Sequence, residues 1–275
     1  MELPIFKTII DITEFCKKHH KVILKHSIIP LILITSFQAL INIFNLNDNS
    51  PNTTLVLLSI FSTLCFLPIT ATWYQLIISG EKSISNRKLF YIGRKELKIL
   101  LCQAIIFIIS MIIIFSGILV IFLIDNIFSS IHTAIRQTLN IITFSVTIIS
   151  CLSLYCRLSL ILPMAATNRQ VDLKEALVQS RDLGSRMVAI WIGCLFIAII
   201  LSFPIQILSI MASELLSLLT FNFLDGNLLS QIIFLPATNS ITSLLLFLFP
   251  ATLIGFVYNH ISSNIEASTN NENTG

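Results

Sequence analysis

One arginine stands inside an apolar run. Arg157 lies in CLSLYCRLSLILPMAAT, residues 151–167. An arginine at mid-bilayer costs about 2.5–3.5 kcal/mol on insertion scales and needs a partner, whereas one near a helix end snorkels to the surface. If the helix stops near Ser159, Arg157 reaches the surface; if it runs to Thr167, the charge lies near the membrane centre. Thr143, Thr147, Ser150 and Ser153 precede it at helical spacing and form a polar stripe leading to it. The nearest countercharge is Glu81, and Gln38, Asn42, Gln75 and Asn168 are amide partners. Arg157, Glu81, Ser153 and Asn168 therefore form a candidate site for an anion or a lipid phosphate. The plainer alternative is a structural arginine paired with Glu81 or with backbone carbonyls.

Other chemistry finds little support. The six cysteines, Cys16, Cys65, Cys102, Cys151, Cys156 and Cys194, are scattered and form no C-x-x-C pair. They read as small buried hydrophobes rather than disulfides or metal ligands. His19 and His20 are adjacent, so their side chains cannot share a helical face, which argues against a metal site. No H-E-x-x-H, G-x-S-x-G or G-x-x-x-x-G-K-[ST] motif occurs. No Asp or Glu lies in the middle of an apolar run, where proton-coupled carriers place their relays. His26, near the inner end of the first run, reads as interfacial, and Trp73, Tyr74 and Trp191 read as interfacial anchors. No enzyme activity, cofactor, metal or nucleic-acid partner is expected.

The elements that must position these residues are membrane helices. Of 275 residues, 55% are apolar and 11% charged, with mean hydropathy +0.89. Soluble domains carry roughly 25% charged residues, so this chain lacks the polar surface to cover a globule. A spanning helix needs about 20 apolar residues. Six runs qualify, at about 22–44, 55–79, 99–124, 139–167, 187–211 and 236–258. They form one membrane domain over residues 1–261, with no room for a soluble catalytic domain. Every basic residue except Arg136 falls before span one, after span two, or at the end of span four and the loop behind it. The other three loops carry Asp48, Asp125, Glu214 and Asp225. That parity puts both termini in the cytoplasm.

No cleavable signal peptide is expected, so span one should remain in the mature chain. The turn NLNDNSPNTT, residues 45–54, contains a glycosylation sequon at Asn52 that matters only outside bacteria. The tail 262–275 is rich in Asn, Ser and Glu and is expected to be disordered.

The basic segments are patterned. In DLKEALVQSRDLGSR, residues 172–186, Leu173, Ala176, Leu177 and Leu183 share a face away from Lys174, Glu175, Arg181 and Asp182. Asp172 and Glu175 resemble a capping box. At the N-terminus, Phe6, Ile9, Ile10 and Thr13 oppose Lys7, Asp11, Glu14 and Lys18, and residues 83–98 form a poorer third case. Each amphipathic segment precedes two spans, and the second span of each pair holds a proline followed by small residues. These are Pro68-Ile-Thr-Ala-Thr, Pro163-Met-Ala-Ala-Thr and Pro250-Ala-Thr. A threefold helix–span–span repeat explains this pattern; convergence on residues common in membranes also does. Basic helices on the cytoplasmic leaflet either attract anionic lipid or simply fix topology.

The stretch YCRLSLILPMAATNRQVDLKEALVQSRDL, with Arg157, Pro163 and a helix from Asp172, resembles bacterial inner-membrane proteins of the YciC-like kind. It also resembles the membrane domain fused to some glycerophosphodiester phosphodiesterases. TATWYQLIISGEK, ending in Gly80-Glu81, is similar to a family stretch after span two, with Tyr74-Gln75 where that stretch often carries His-Arg. The resemblance covers residues 70–190 and implies a six-helix inner-membrane fold linked to envelope or lipid homeostasis. It carries over no catalytic residue.

The expected fold is therefore all-α, a six-span membrane protein with cytoplasmic amphipathic helices. The abundance of Ile, Asn and Lys suggests a bacterial source. The expected function is non-enzymatic lipid handling, lipid sensing or membrane assembly, with membrane lipids as partners. A small-molecule or ion transporter with its site around Arg157 is the alternative.

Overall fold

The computed structural model describes residues 4–45, 51–84, 91–127, 133–167, 171–181, 183–219 and 233–272. Asn168, Asp182, Asp48 and Asp225 lie outside the described residues, as do residues 46–50 of the turn 45–54 and the middle of the third basic segment; residues 51–54 open α3. The elements are α1 (Ile5–Lys18), α2 (His20–Asn45), α3 (Pro51–Ser79), a single 3-10 turn (Glu81–Ser83), α4 (Arg94–Ile127) and α5 (Thr133–Leu158). They continue with α6 (Ile161–Ala166), α7 (Leu173–Gln179), α8 (Gly184–Leu219) and α9 (Leu235–Glu272). No strand occurs among the described residues.

Six helices are long and apolar enough to cross a membrane: His20–Ile43, Val56–Ser79, Arg94–Ile127, Ile135–Ala166, Gly184–Leu215 and Leu235–Ser262. The chain is a multi-pass membrane protein. A helix satisfies most of its backbone groups within itself, which is what a hydrocarbon solvent demands. In contact order, α3, α4, α5, α8 and α9 form a ring, and α2 packs outside it on α3 and α9.

The three proline segments meet in the core. Residues 67–77 of α3 are buried, as are all six residues of α6 and residues 248–255 of α9. The three elements touch one another. Each proline withdraws one N–H from its helix, and nearby hydroxyls compensate for the disturbed ladder. Thr70 donates to the Phe66 carbonyl at 2.8 Å and Thr252 to the Leu248 carbonyl at 2.7 Å, each two residues after a proline. Thr72 and Thr167 donate to the carbonyls of Pro68 and Pro163, at 2.7 and 3.0 Å. Interhelical bonds tie the cluster: Trp73 Nε1 donates to Thr252 Oγ1 at 2.9 Å, Gln75 Nε2 to the Ala166 carbonyl at 3.1 Å, and Asn259 Nδ2 to the Ile77 carbonyl at 2.9 Å.

Several expectations need correction. Trp73 and Tyr74 are not interfacial anchors; they are buried in this core, at 2% and 1% exposure. His26 is likewise buried. Hydropathy locates a span along the chain but does not tell its lipid face from its protein face, so aromatic residues near an end look alike in both settings. The amphipathic face of α1 is also different. Thr8 and Ile12 are buried and Ile5, Ile9, Phe15 and Cys16 pack on the core, while Phe6 and Ile10 stay exposed. Apolar residues cover two arcs of α1, and the sequence reading joined them into one. Span four is not one helix but two, α5 and α6. The tail expected to be disordered is helical in its backbone as far as Glu272. Extending a formed helix is cheap compared with nucleating one, so a polar continuation of α9 can follow the ladder.

At the basic end, α3 stops at Gly80, whose φ of 73° is open to glycine at no steric cost. α4 starts with a capping arrangement in which Gly93 N–H donates to the Glu96 carboxylate at 2.9 Å. At the opposite end, Arg136 pairs with Asp125 at 3.5 Å, and Asn140 donates to the same Asp125 oxygen at 2.9 Å. The one basic residue that breaks loop parity is thus neutralised locally.

Candidate functional site

Arg157 lies in the last turn of α5. The Pro163 ring crowds the carbonyl four residues before it, which belongs to Ser159, and here the helix breaks, whereas α3 and α9 run on through Pro68 and Pro250. The chain turns at Ser159 and Leu160, and the Ser159 carbonyl accepts instead from Leu162 N–H at 3.0 Å. The helix end near Ser159, rather than at Thr167, is the one that forms.

The partner of Arg157 is α7. Its Nη2 donates to the Leu177 carbonyl at 2.6 Å and its Nε to Ser180 Oγ at 3.2 Å. Ser180 caps α7, so the guanidinium sits at the negative end of that helix and satisfies one of its open carbonyls. At the other end of α7, Asp172 accepts from the N–H groups of Lys174 and Glu175, at 2.8 and 3.4 Å. The predicted face holds: Ala176 and Leu183 are buried, and Leu173 and Leu177 pack on the core. Gly184, which opens α8, lies flat against this arrangement. A Cβ there would meet Arg157 Cδ at 3.1 Å and Ser153 Oγ at 3.3 Å.

The four predicted site residues do not all converge. Arg157 and Ser153 are neighbours at Gly184. Glu81 is elsewhere engaged: its Oε1 takes His19 Nδ1 at 2.9 Å, joining α1 to the end of α3. Of the two structural partners considered for Arg157, Glu81 or backbone carbonyls, it takes a carbonyl, that of Leu177, because α7 offers the guanidinium nearer acceptors at a helix end. Asn168 lies outside the described residues. The polar stripe has a different purpose from the one its spacing suggests. Thr143, Thr147 and Ser150 face Ser116 and Gly117 of α4 across a small cleft of about 410 Å³. A Cβ at Gly117 would collide with the Thr147 side chain, so the two backbones approach as closely as a glycine allows.

A larger open space than this cleft lies on another face of α5. A cavity of about 840 Å³ is bounded by α3, α4, α5 and α8, with Leu162 of α6 at its wall. At about 100° per residue, Cys151, Leu152 and Tyr155 face this cavity, while Ser153 and Arg157 point to the far side of α5. Ile60, Leu64, Leu100, Ile106 and Phe107 make the lining apolar. Two polar atoms of cavity-lining residues are buried without a hydrogen-bond partner among the described residues, Gln103 Oε1 and Trp191 Nε1. Tyr155 meets Trp191 edge-on, with ring centroids 6.4 Å apart. Sequence reasoning missed this site. Its one legible sign is Gln103, an amide inside the otherwise apolar third span.

The cysteines are all free thiols. Cys16 on α1 contacts Thr252 Oγ1 at 3.5 Å. Burial pushes its thiol up to about 11, a rise the Thr252 contact partly offsets, so it is protonated at neutral pH and a poor nucleophile. No group of three or more His, Cys, Asp or Glu that could hold a metal occurs among the described residues. Comparison of the chain with protein-family models, with curated proteins and with solved structures returns no match.

Proposed function

We propose that this protein binds and handles membrane lipid without catalysing a reaction, and that the apolar cavity between α3, α4, α5 and α8 is where it does so. The cavity is the observation that carries the reading. Its volume of about 840 Å³ falls in the range of about 300–1,000 Å³ typical of ligand sites, and its walls are those of a hydrocarbon site. The basic end, with α1 and α7, is read as facing the cytoplasm of a bacterial inner membrane, a reading that the Lys and Arg of its loops support as to side. The three proline segments are read as the second spans of a threefold repeat, and the likeness of residues 70–190 to YciC-like proteins agrees with an envelope or lipid role.

The transporter alternative rests on Arg157, and its two hydrogen bonds to α7 weaken it. A guanidinium that holds a helix end is already occupied.

Native mass spectrometry of the protein released from nanodiscs tests the reading. Wild type should retain lipid beyond the bulk ratio, and Ala104→Phe, which fills the cavity, should lose it while eluting as a folded species. Lipid content that is equal in both, or absent from wild type, would sink the proposal.

A further inference from the structure

We infer that α1 lies in the plane of the leaflet at the basic end and, with the first two turns of α2, holds the head group of an anionic phospholipid. This site is separate from the cavity. Contacts at the two ends of α1 fix how it lies. A Cβ at Gly193 would meet Ile9 Cδ1 at 2.7 Å, so Ile9 sits against α8 there. Cys16 Sγ is 3.5 Å from Thr252 Oγ1 of α9, and the Phe15 ring meets Trp73 of α3 edge-on at 5.5 Å. Gly193, Thr252 and Trp73 each lie six residues inside the basic end of an apolar run, counted from Met187, Tyr258 and Ser79. Six residues of helix span about 9 Å. α1 therefore keeps one depth along its length, and amphipathic helices that rest in a membrane surface sink about 5–10 Å into it.

The side chains of α1 suit that position, because they form three arcs. Ile5, Thr8, Ile9, Ile12, Phe15 and Cys16 pack on the bundle. Lys7, Asp11, Glu14 and Lys18 are exposed on the opposite side. Between these arcs Phe6 and Ile10 are 84% and 57% exposed, and Lys17 shares their face. At this depth acyl chains cover what the protein leaves bare. Beyond the bend at His19, the exposed face of α2 carries Lys21, Leu24, Lys25 and Ile28 at helical spacing. Lys17, Lys21 and Lys25 thus flank the bend, each beside lipid-facing apolar side chains. Their stems can lie along acyl chains while the ammonium groups reach the head groups. None of the three has an ion-pair partner among the described residues. The carboxylates nearby are Asp11 and Glu14 on the water-facing arc, and Glu81, which His19 holds at 2.9 Å. Three cations at head-group level complement a net negative lipid, and a zwitterionic one leaves them without a countercharge.

The test is native mass spectrometry of the full chain released from phosphatidylcholine nanodiscs that contain a minority of phosphatidylglycerol. Wild type should retain phosphatidylglycerol above its bulk share. At about fivefold per lysine near an anionic surface, the joint change Lys17→Gln, Lys21→Gln and Lys25→Gln should lower that enrichment by up to roughly a hundredfold. The joint change Lys95→Gln, Lys98→Gln and Lys174→Gln removes the same charge elsewhere at the basic end and should leave most of it. Ala104→Phe, which fills the cavity, should leave the preference for phosphatidylglycerol unchanged. Benzoylphenylalanine in place of Phe6 should crosslink lipid, with phosphatidylglycerol above its bulk share. No enrichment in wild type, or equal losses from the two triple changes, overturns the head-group site. A crosslinker at position 6 that takes up no lipid in the folded protein, or captures another protein instead, overturns the placement of α1 and the site with it. Either failure leaves the cavity reading standing.

Discussion

The proline core and the α4–α5 hairpin are built from the same apolar alphabet and end in opposite circumstances. In the span that opens α9, 61% of the most apolar window is buried inside the protein; in α4 it is 11%, although α4 is the most apolar of the six spans. In water the greasiest segment would be the core. In lipid, tails are as apolar as leucine, so hydropathy gives no reason to leave them. Burial goes instead to segments that offer close packing and hydrogen bonds: Thr70, Thr72, Trp73, Gln75 and Thr252 in the core. In the outer half of the hairpin the described ties are the Gly117–Thr147 approach and the contacts of Asp125 with Arg136 and Asn140.

The contrast can be broken at graded strength, with unfolding in mixed micelles as the measure. Leu253→Ala, at a fully buried core position, should destabilise by about 2–5 kcal/mol. Gly117→Leu should cost about 1–3 kcal/mol by overpacking, and spin labels on the outer halves of α4 and α5 should move apart. An unchanged label distance would show that the hairpin does not depend on this contact. Arg157→Ala should lose about 1.5–3 kcal/mol. Its hydrogen exchange should rise over residues 172–181 while the core stays protected; loss of protection in the core would mean that Arg157 does more than hold α7. Trp73→Phe should cost about 1 kcal/mol through the lost bond to Thr252. Phe122→Ala, at 63% exposure, should stay within about 0.5 kcal/mol, and a larger effect would argue that α4 has a protein partner there.

Much of this fold was legible in the sequence, for identifiable reasons. Span number follows from hydropathy, because the bilayer fixes a minimum length. The α7 helix was readable from Asp172 and the spacing of Leu173, Ala176 and Leu177, since capping and periodicity are local. What could not be read was which residues face which. Arg157 chose Leu177 and Ser180 over Glu81 because α5 ends at Ser159, and that end depends on Pro163 and on where α7 folds back. The stripe of Thr143 and Thr147 reads in the sequence as leading to Arg157, but Thr147 packs on Gly117, a residue 30 positions earlier in the chain. The cavity was invisible, because an empty space is made by four helices and encoded by none of them.

The break at Ser159–Leu160 divides one stretch of sequence between two tasks. Ile135–Leu158 alone is 24 residues, about 36 Å of helix, enough to cross a bilayer. The six residues of α6 are therefore surplus to insertion, and they lie folded into the bundle as a stopper beside the cavity. Whatever machinery threads this chain into the membrane reads a complete crossing before it reaches them. Their sequence answers to packing inside the bundle, without touching topology, while the crossing in front of them answers to the lipid.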